Sequence, residues 1–203
     1  MQPVLIELPR FLLRDFTSAD RAAFVAYQMD PRYLDLYDLS GSDPGRAERL
    51  FDLFVEWQGG EPRRNFQIGV FDLATGRLLG CAGLRRTGDD IAVFGIELAP
   101  SEWGRFRIAI DVAAALMEHG FRTLGLQTIM GDTASGNRRV EKLARFFGAE
   151  ITARRPGPDW MRMRGWQEVD WSLSRVAWER SRDGRDASGT DRGPAPPGAA
   201  FPA

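Results

Sequence analysis

The chain has 203 residues, 43% of them apolar, enough to close one hydrophobic core of ordinary domain size. Its 27 basic and 28 acidic residues leave a formal charge of -1, which argues against a nucleic-acid footprint and against a membrane-surface protein, both of which need a positive excess on one face. No apolar run approaches the roughly 18 residues that cross a bilayer, and the start MQPVLIELPR lacks the pattern of a secretion signal, so a cytoplasmic protein is expected.

The single cysteine, Cys81, excludes an internal disulfide and any multi-cysteine metal site. Lys142 is the sole lysine, and acids are interspersed among the arginines throughout, so no basic block stands alone.

Residues 5–14, LIELPRFLLR, read as a first short strand. Thr17-Ser18-Ala19-Asp20 has the form of a capping box, and Ala23, Phe24, Tyr27 and Gln28 follow at helical spacing until Pro31 ends the helix. A second start signal is Asp43-Pro44; Leu50, Phe51, Phe54 and Trp57 make the apolar stripe that Gly59-Gly60 stops. The period then changes to strand-like runs at about 66–72, 77–85 and 91–98, separated by the turn signals Ala74-Thr75-Gly76 and Thr87-Gly88-Asp89-Asp90. Such short connections imply antiparallel pairing.

A helix follows at about 107–120, then a strand at about 126–133 and a helix over 137–147 that Gly148 stops. Strands near 149–155 and 166–174 close the pattern. This order predicts one α+β domain over residues 1–180, a three-layer α/β/α arrangement whose central mixed, mostly antiparallel sheet is flanked by helices. Residues 181–203 are rich in Gly, Pro, Ala and Asp and carry almost no large apolar groups. Such a segment cannot offset the entropy of ordering and reads as a disordered tail.

The segment APSEWGRFRIAID, from Ala99 to Asp111, ends a strand, makes a short turn and begins a helix at about Arg107. Unpaired amides at a helix start, together with the macrodipole, form an anion site, and Arg105 and Arg107 add positive charge beside it. A phosphate-bearing ligand suits this junction, although many strand–helix junctions carry an arginine and bind nothing.

Strand, Trp103-Gly104-Arg105, a helix ending HGFRTLGL, strand, Asn137 and KLARFFGAE, in that order, resemble the GNAT superfamily of acyl-CoA N-acyltransferases. The opening FLLRDFTSADRAAF and the closing VDWSLSRVAWE are similar to the branch of ribosomal-protein N-terminal and spermidine acetyltransferases, so the resemblance spans about residues 8–180. It implies a GNAT-like fold, acetyl-CoA or another acyl-CoA as co-substrate, no metal, and an amine acceptor that is a small molecule or a peptide N-terminus.

By position, the family's pyrophosphate loop falls on Gly104, Arg105, Phe106, Arg107, Ile108 and Ala109, with one extra loop residue that puts Ala109 at the small position. Phe106 stands where the family has a glycine that lets main-chain amides approach the pyrophosphate. The resemblance also implies that the strand ending at Leu98 splays from its neighbour to admit the pantetheine. Main-chain groups of Glu97, Leu98 and Ala99 would then polarise the thioester carbonyl, and Asn137 would reach the pantetheine. Val140 and Ala144 replace a frequent serine and the tyrosine that often acts as general acid.

An amine of pKa about 10 must lose a proton before it attacks, and Glu97 is the candidate base, directly or through water. It shares a strand face with Ile91, Val93 and Gly95, although the same position suits a solvent-facing carboxylate or an ion pair. Asp132 is a second candidate, for which a turn-forming role is the stronger reading.

His119 and Cys81 read as packed side chains, and Ser135 has no readable triad. Val140, Leu143, Ala144 and Phe147 form a core stripe. Arg138, Arg139, Lys142 and Arg145 read as a solvated face, with the 3′-phosphate of coenzyme A as a second use. The segment RRPGPDWMRMRGW (154–166) suits an acceptor cleft, a subunit contact in a homodimer, or local packing. The function expected is acetyl transfer to a primary amine in a ternary complex; the alternative is a GNAT-shaped binding or assembly module that has lost catalysis.

Overall fold

The computed structural model describes residues 3–39, 41, 43 and 45–189, without the side chains of Phe106 and of residues 184–189. It begins with two strands, β1 (Leu5–Glu7) and β2 (Phe11–Arg14), where the sequence suggested one. Pro9 supplies no N–H for a ladder, and the Leu8 amide turns back to the Phe11 carbonyl at 2.8 Å, so the run folds into a hairpin.

The capping box at Thr17 and Asp20 is present and starts a short 3-10 turn (Ser18–Asp20) that leads into α1 (Arg21–Gln28). Pro31 opens a second helix, α2 (Pro31–Leu36), instead of merely ending the first. The Asp30 carboxylate caps it by accepting from the Arg32 amide at 2.9 Å. The third helix, α3 (Arg46–Gln58), follows. Of the start signal read at Asp43-Pro44, Pro44 lies outside the described residues, and Asp43 accepts from the Gly45 amide.

The remaining elements are β3 (Asn65–Asp72), β4 (Leu78–Arg86), β5 (Ile91–Leu98), α4 (Phe106–Glu118) with a π-helical turn (His119–Thr123), and β6 (Thr128–Ala134). After them come α5 (Arg138–Phe146), β7 (Glu150–Pro156), α6 (Asp159–Met163), β8 (Gln167–Ser174) and α7 (Arg175–Gly189).

All eight strands form one sheet in the order β1-β2-β3-β4-β5-β6-β8-β7. Every pairing is antiparallel except β5 with β6. Helices cover both faces, as the α+β reading requires. One core joins the sheet to α4, α5 and α7 through Phe94, Val112, Leu116, Leu143, Trp171 and Trp178. The other joins it to α1, α2 and α3 through an aromatic set including Phe16, Phe24, Phe51, Phe54 and Phe71. The sheet of the first core holds the helix that begins at the candidate phosphate loop; the second core holds the helices that reach over the end of β5.

The last helix, α7, runs past the proposed start of the tail at 181 and continues to Gly189. Trp178 is buried against Phe121, Arg175 pairs with Glu179, and Arg182 reaches both Trp178 and Glu118. The helix is thereby anchored to the domain as far as Arg182. The rest of the proposed tail, 190–203, lies outside the described residues. Among the described residues no helix is long and apolar enough to cross a membrane.

Candidate active site

Strands β5 and β6 pair only from Ile91–Val93 to Thr128–Met130, although β5 runs on to Leu98 and β6 to Ala134. Beyond Val93 they part, and the gap opens into two connected hollows. One, of about 650 Å³, runs from β5 to the start of α4 and is lined by Ile96, Glu97, Leu98, Trp103, Gly104, Arg105, Ala109, Asn137 and Arg139, among others. The other, of about 860 Å³, lies between β5, β6 and the segment carrying α6. Leu36, Tyr37, Ile96, Asn137 and Val140 line both, so they are two chambers of one cleft.

Main-chain geometry decides which groups face the gap. The Ala99 amide donates to the Leu79 carbonyl at 2.8 Å, on the β4 side, and its carbonyl accepts from the Glu102 amide at 2.8 Å. The Ala99 amide is therefore not free for a ligand, and its carbonyl already has one partner. Antiparallel alternation turns Ile96 and Leu98 the other way, toward the gap. The Leu98 carbonyl is taken by the Trp103 indole N–H at 2.9 Å, leaving the Leu98 amide and the main chain of Ile96 along the opening. Gly80 lets β4 approach this stretch: at its φ of +150° a Cβ would stand 2.1 Å from the Glu97 carbonyl oxygen.

At the other end, Gly104 has φ +90° and open space where a side chain would be. Among the described residues neither the Gly104 nor the Arg107 amide is paired with another main-chain group, as expected at a helix start. The Ile108 amide donates to the Arg105 carbonyl at 3.0 Å and its side chain is core. Arg105 lines the cleft and pairs with the buried Glu102, which also holds Arg77. The Arg107 guanidinium points out to Asp111. Arg139 lies 4.5 Å over the Trp103 ring and faces the same chamber, so its cation is the one from the basic helix face that reaches the cleft. The Phe106 side chain lies outside the described residues.

Glu97 lines the first chamber, and its carboxylate turns toward α1 and α2. Oε1 accepts from the Tyr27 hydroxyl at 2.8 Å and from the Gln28 amide, and Oε2 accepts from the Tyr33 hydroxyl. Gln28 is fully buried; its oxygen accepts from Arg46 at 2.8 Å, which fixes the amide with its nitrogen toward Glu97. Burial pushes the Glu97 carboxyl above its ordinary value, against the Tyr33 and Tyr27 hydroxyls and the Arg46 charge, which favour the ionised form. The Cys81 thiol also donates to Oε1 at 3.8 Å, so Oε1 is saturated and one lone-pair position on Oε2 remains.

Cys81 is buried beside Glu97, accepts from Tyr27 and Gln67, and has its thiol pushed well up by burial, which makes it inert packing. His119 packs edge-on to Phe66 with its pKa lowered by burial. Ser135 accepts from the Gln167 amide.

Asp132 is a strand residue of β6 opposite Asp170, not a turn former, and it lines the second chamber. Asn137 sits where the chambers join, at the start of α5. Of the 154–166 segment, Trp160, Met161 and Trp166 line the second chamber, so the cleft-forming expectation describes them. Tyr33 and Tyr37 were not among the residues expected at the site. Their signal was Asp30-Pro31, the same cap-and-proline pair as Asp43-Pro44, read as a stop and not as a start.

Residues 10–150 match the family model of the acetyltransferase (GNAT) domain. The chain belongs to the GNAT acetyltransferase family. As a member it is an N-acetyltransferase, and its fold recurs in solved acetyltransferases. Similar structures include the spermidine N-acetyltransferase of Vibrio cholerae in complex with CoA and spermine, at TM-score 0.70 and 15% identity, covering 84% of this chain and 99% of that one. They also include a GNAT-family acetyltransferase from Bacillus anthracis, at TM-score 0.68 and 16% identity over 84% of this chain and 98% of that one. A third is a GCN5-related N-acetyltransferase from Brucella melitensis, at TM-score 0.70 and 14% identity over 92% and 86%. At these identities the likeness is one of fold. It extends to the spermidine acetyltransferase branch whose opening and closing motifs the sequence resembles.

Proposed function

We propose that this acetyltransferase moves the acyl group of acetyl-CoA, or a close acyl-CoA, directly to a primary amine held beside it. The observation that carries the reading is the two-chamber cleft, with the start of α4 at one end and a separate hollow at the other, meeting where β5 and β6 part.

The donor's pyrophosphate suits the Gly104 and Arg107 amides and the Arg105 and Arg139 cations. Its pantetheine suits the apolar wall of Ile96, Leu98 and Val140, with Asn137 at the join. The Leu98 amide is the main-chain donor on the open edge for the thioester carbonyl.

The acceptor arrives as an ammonium and gives one proton to the remaining lone pair of Glu97, through water, and from there to solvent. The amine nitrogen then attacks the thioester carbonyl carbon; the C–N bond forms, the C–S bond breaks, and the second amine proton leaves with the thiolate. A thiol of pKa near 8.5 departs without strong acid help, which fits a helix carrying Val140 and Ala144. Most of the rate comes from holding amine and thioester together.

Release of free thiol from acetyl-CoA, followed across a panel of amines, tests this. Glu97→Gln should lower kcat about 100-fold while the KM for acetyl-CoA stays within about twofold. Asn137→Ala should raise that KM instead. No thiol release with any amine would overturn the proposal and leave the alternative of a binding module without catalysis.

A further inference from the structure

The second chamber is walled by rings. Tyr37, Phe94, Trp160, Trp166 and Trp171 face it, with Met161 between them. Asp132 is the only charged residue lining it among the described residues. The residue is exposed at the mouth of the hollow, its carboxylate accepts no hydrogen bond among the described residues, and partial desolvation with the neighbouring Glu168 and Asp170 pushes its pKa up.

Around Asp132 stand three carboxylates, its own included, and two guanidiniums, Arg85 and Arg155. Arg155 is tied to Glu168 and Asp170, so the local charge is left negative where Asp132 meets the hollow.

The roof is fixed. The Arg164 side chain donates to the Leu36 carbonyl at 3.2 Å and the Asp35 carbonyl at 2.9 Å, and its guanidinium lies 5.6 Å and 5.3 Å from the Trp160 and Trp166 rings. This strap joins the α6 segment to α2 beside the chamber. A linear polyamine would bring several ammonium groups to a wall with one carboxylate; a single ammonium on a broad apolar body matches one carboxylate and many rings.

Resting on the proposed acyl transfer, we infer that the acceptor is a small primary amine carried on an aromatic body, with Asp132 facing its ammonium and the tryptophan wall enclosing its ring. The inference deepens that reading by naming the acceptor class.

The test measures kcat/KM by thiol release at saturating acetyl-CoA for 2-phenylethylamine, tryptamine, butylamine, spermidine and a short peptide with an N-terminal serine. The arylalkylamines should exceed butylamine by about tenfold or more. In Trp160→Ala that advantage should shrink to about threefold or less, with the KM for acetyl-CoA held within about twofold. Asp132→Asn, which keeps shape and volume, should raise KM for all the free amines alike and spare acetyl-CoA binding.

Preference for spermidine or for the peptide, or rates within about threefold across the panel, would overturn the aromatic class while leaving acyl transfer standing. Absence of release with every amine would instead overturn the transfer itself, and this inference with it.

Discussion

Gln28 bridges the site's carboxylate to a buried arginine, and Gln28→Leu removes that bridge with little change of volume. The wild-type amide is fully buried, donates to Glu97 and to the Tyr33 hydroxyl, and accepts from Arg46. Leucine leaves Arg46 without this acceptor, and its Nε already lacks a partner; it also leaves Glu97 one donor short. A buried group deprived of a partner costs about 1–3 kcal/mol, so the two charged neighbours together give a loss of roughly 3 kcal/mol. For a domain of this size that lowers Tm by roughly 10 °C.

The same bond has a second readout. A donor to the carboxylate favours the ionised form, so its loss raises the proton affinity of Glu97. If the bond favours that form by about 1.4 kcal/mol, the acid limb of the kcat profile moves up by about one pH unit. Thermal melts and a kcat–pH profile at saturating acetyl-CoA and amine measure both effects. A lowered Tm with an unmoved acid limb would refute the assignment of that limb to Glu97.

Three further outcomes are expected. Acetyl-CoA at a hundredfold excess over its Kd should stabilise the protein by about 2.7 kcal/mol in a melt, and Gly104→Val, which forces a branched residue to φ +90°, should reduce that gain at the same concentration. Gly136→Ala places a Cβ 2.1 Å from the Trp166 indole, so the ring must move; the acceptor KM should rise and stability fall by about 1–3 kcal/mol, with the acetyl-CoA KM retained. Asp15→Ala strips the partner from Arg63, whose side chain is 2% exposed. Unfolding free energy measured by urea titration should drop by about 3–5 kcal/mol, while kcat per folded molecule stays near wild type.

Much of this architecture is legible in the residues. The meander of β3, β4 and β5 follows from alternation broken by Ala74-Thr75-Gly76 and Thr87-Gly88-Asp89-Asp90, and α5 follows from the stripe ending at Phe147. Local rules suffice there because turn chemistry and burial agree. They fail where one residue permits two outcomes. Pro9 split a run that alternation alone would extend, and Pro31 started a helix that a stop signal would forbid.

That second misreading hid Tyr33 and Tyr37, because their place at the site depends on α2 folding over the end of β5, a long-range event with no mark in the local sequence. Ala99 and Ile108 show the converse. In each the main-chain amide is claimed by a neighbour, which only the assembled loop reveals. Glu97 is legible on its strand, but its hydroxyl and amide donors, Tyr27, Gln28 and Tyr33, come from helices some seventy residues away.

The shared wall of Leu36, Tyr37, Ile96, Asn137 and Val140 is a waist, and a waist makes kinetics diagnostic of place. Substitutions in the Gly104 chamber should disturb one Michaelis constant, those near Trp160 the other, and those at the waist both together. Two titrations per variant would thus turn a set of point mutants into a ruler laid along the cleft, locating the reacting atoms before any ligand is seen bound.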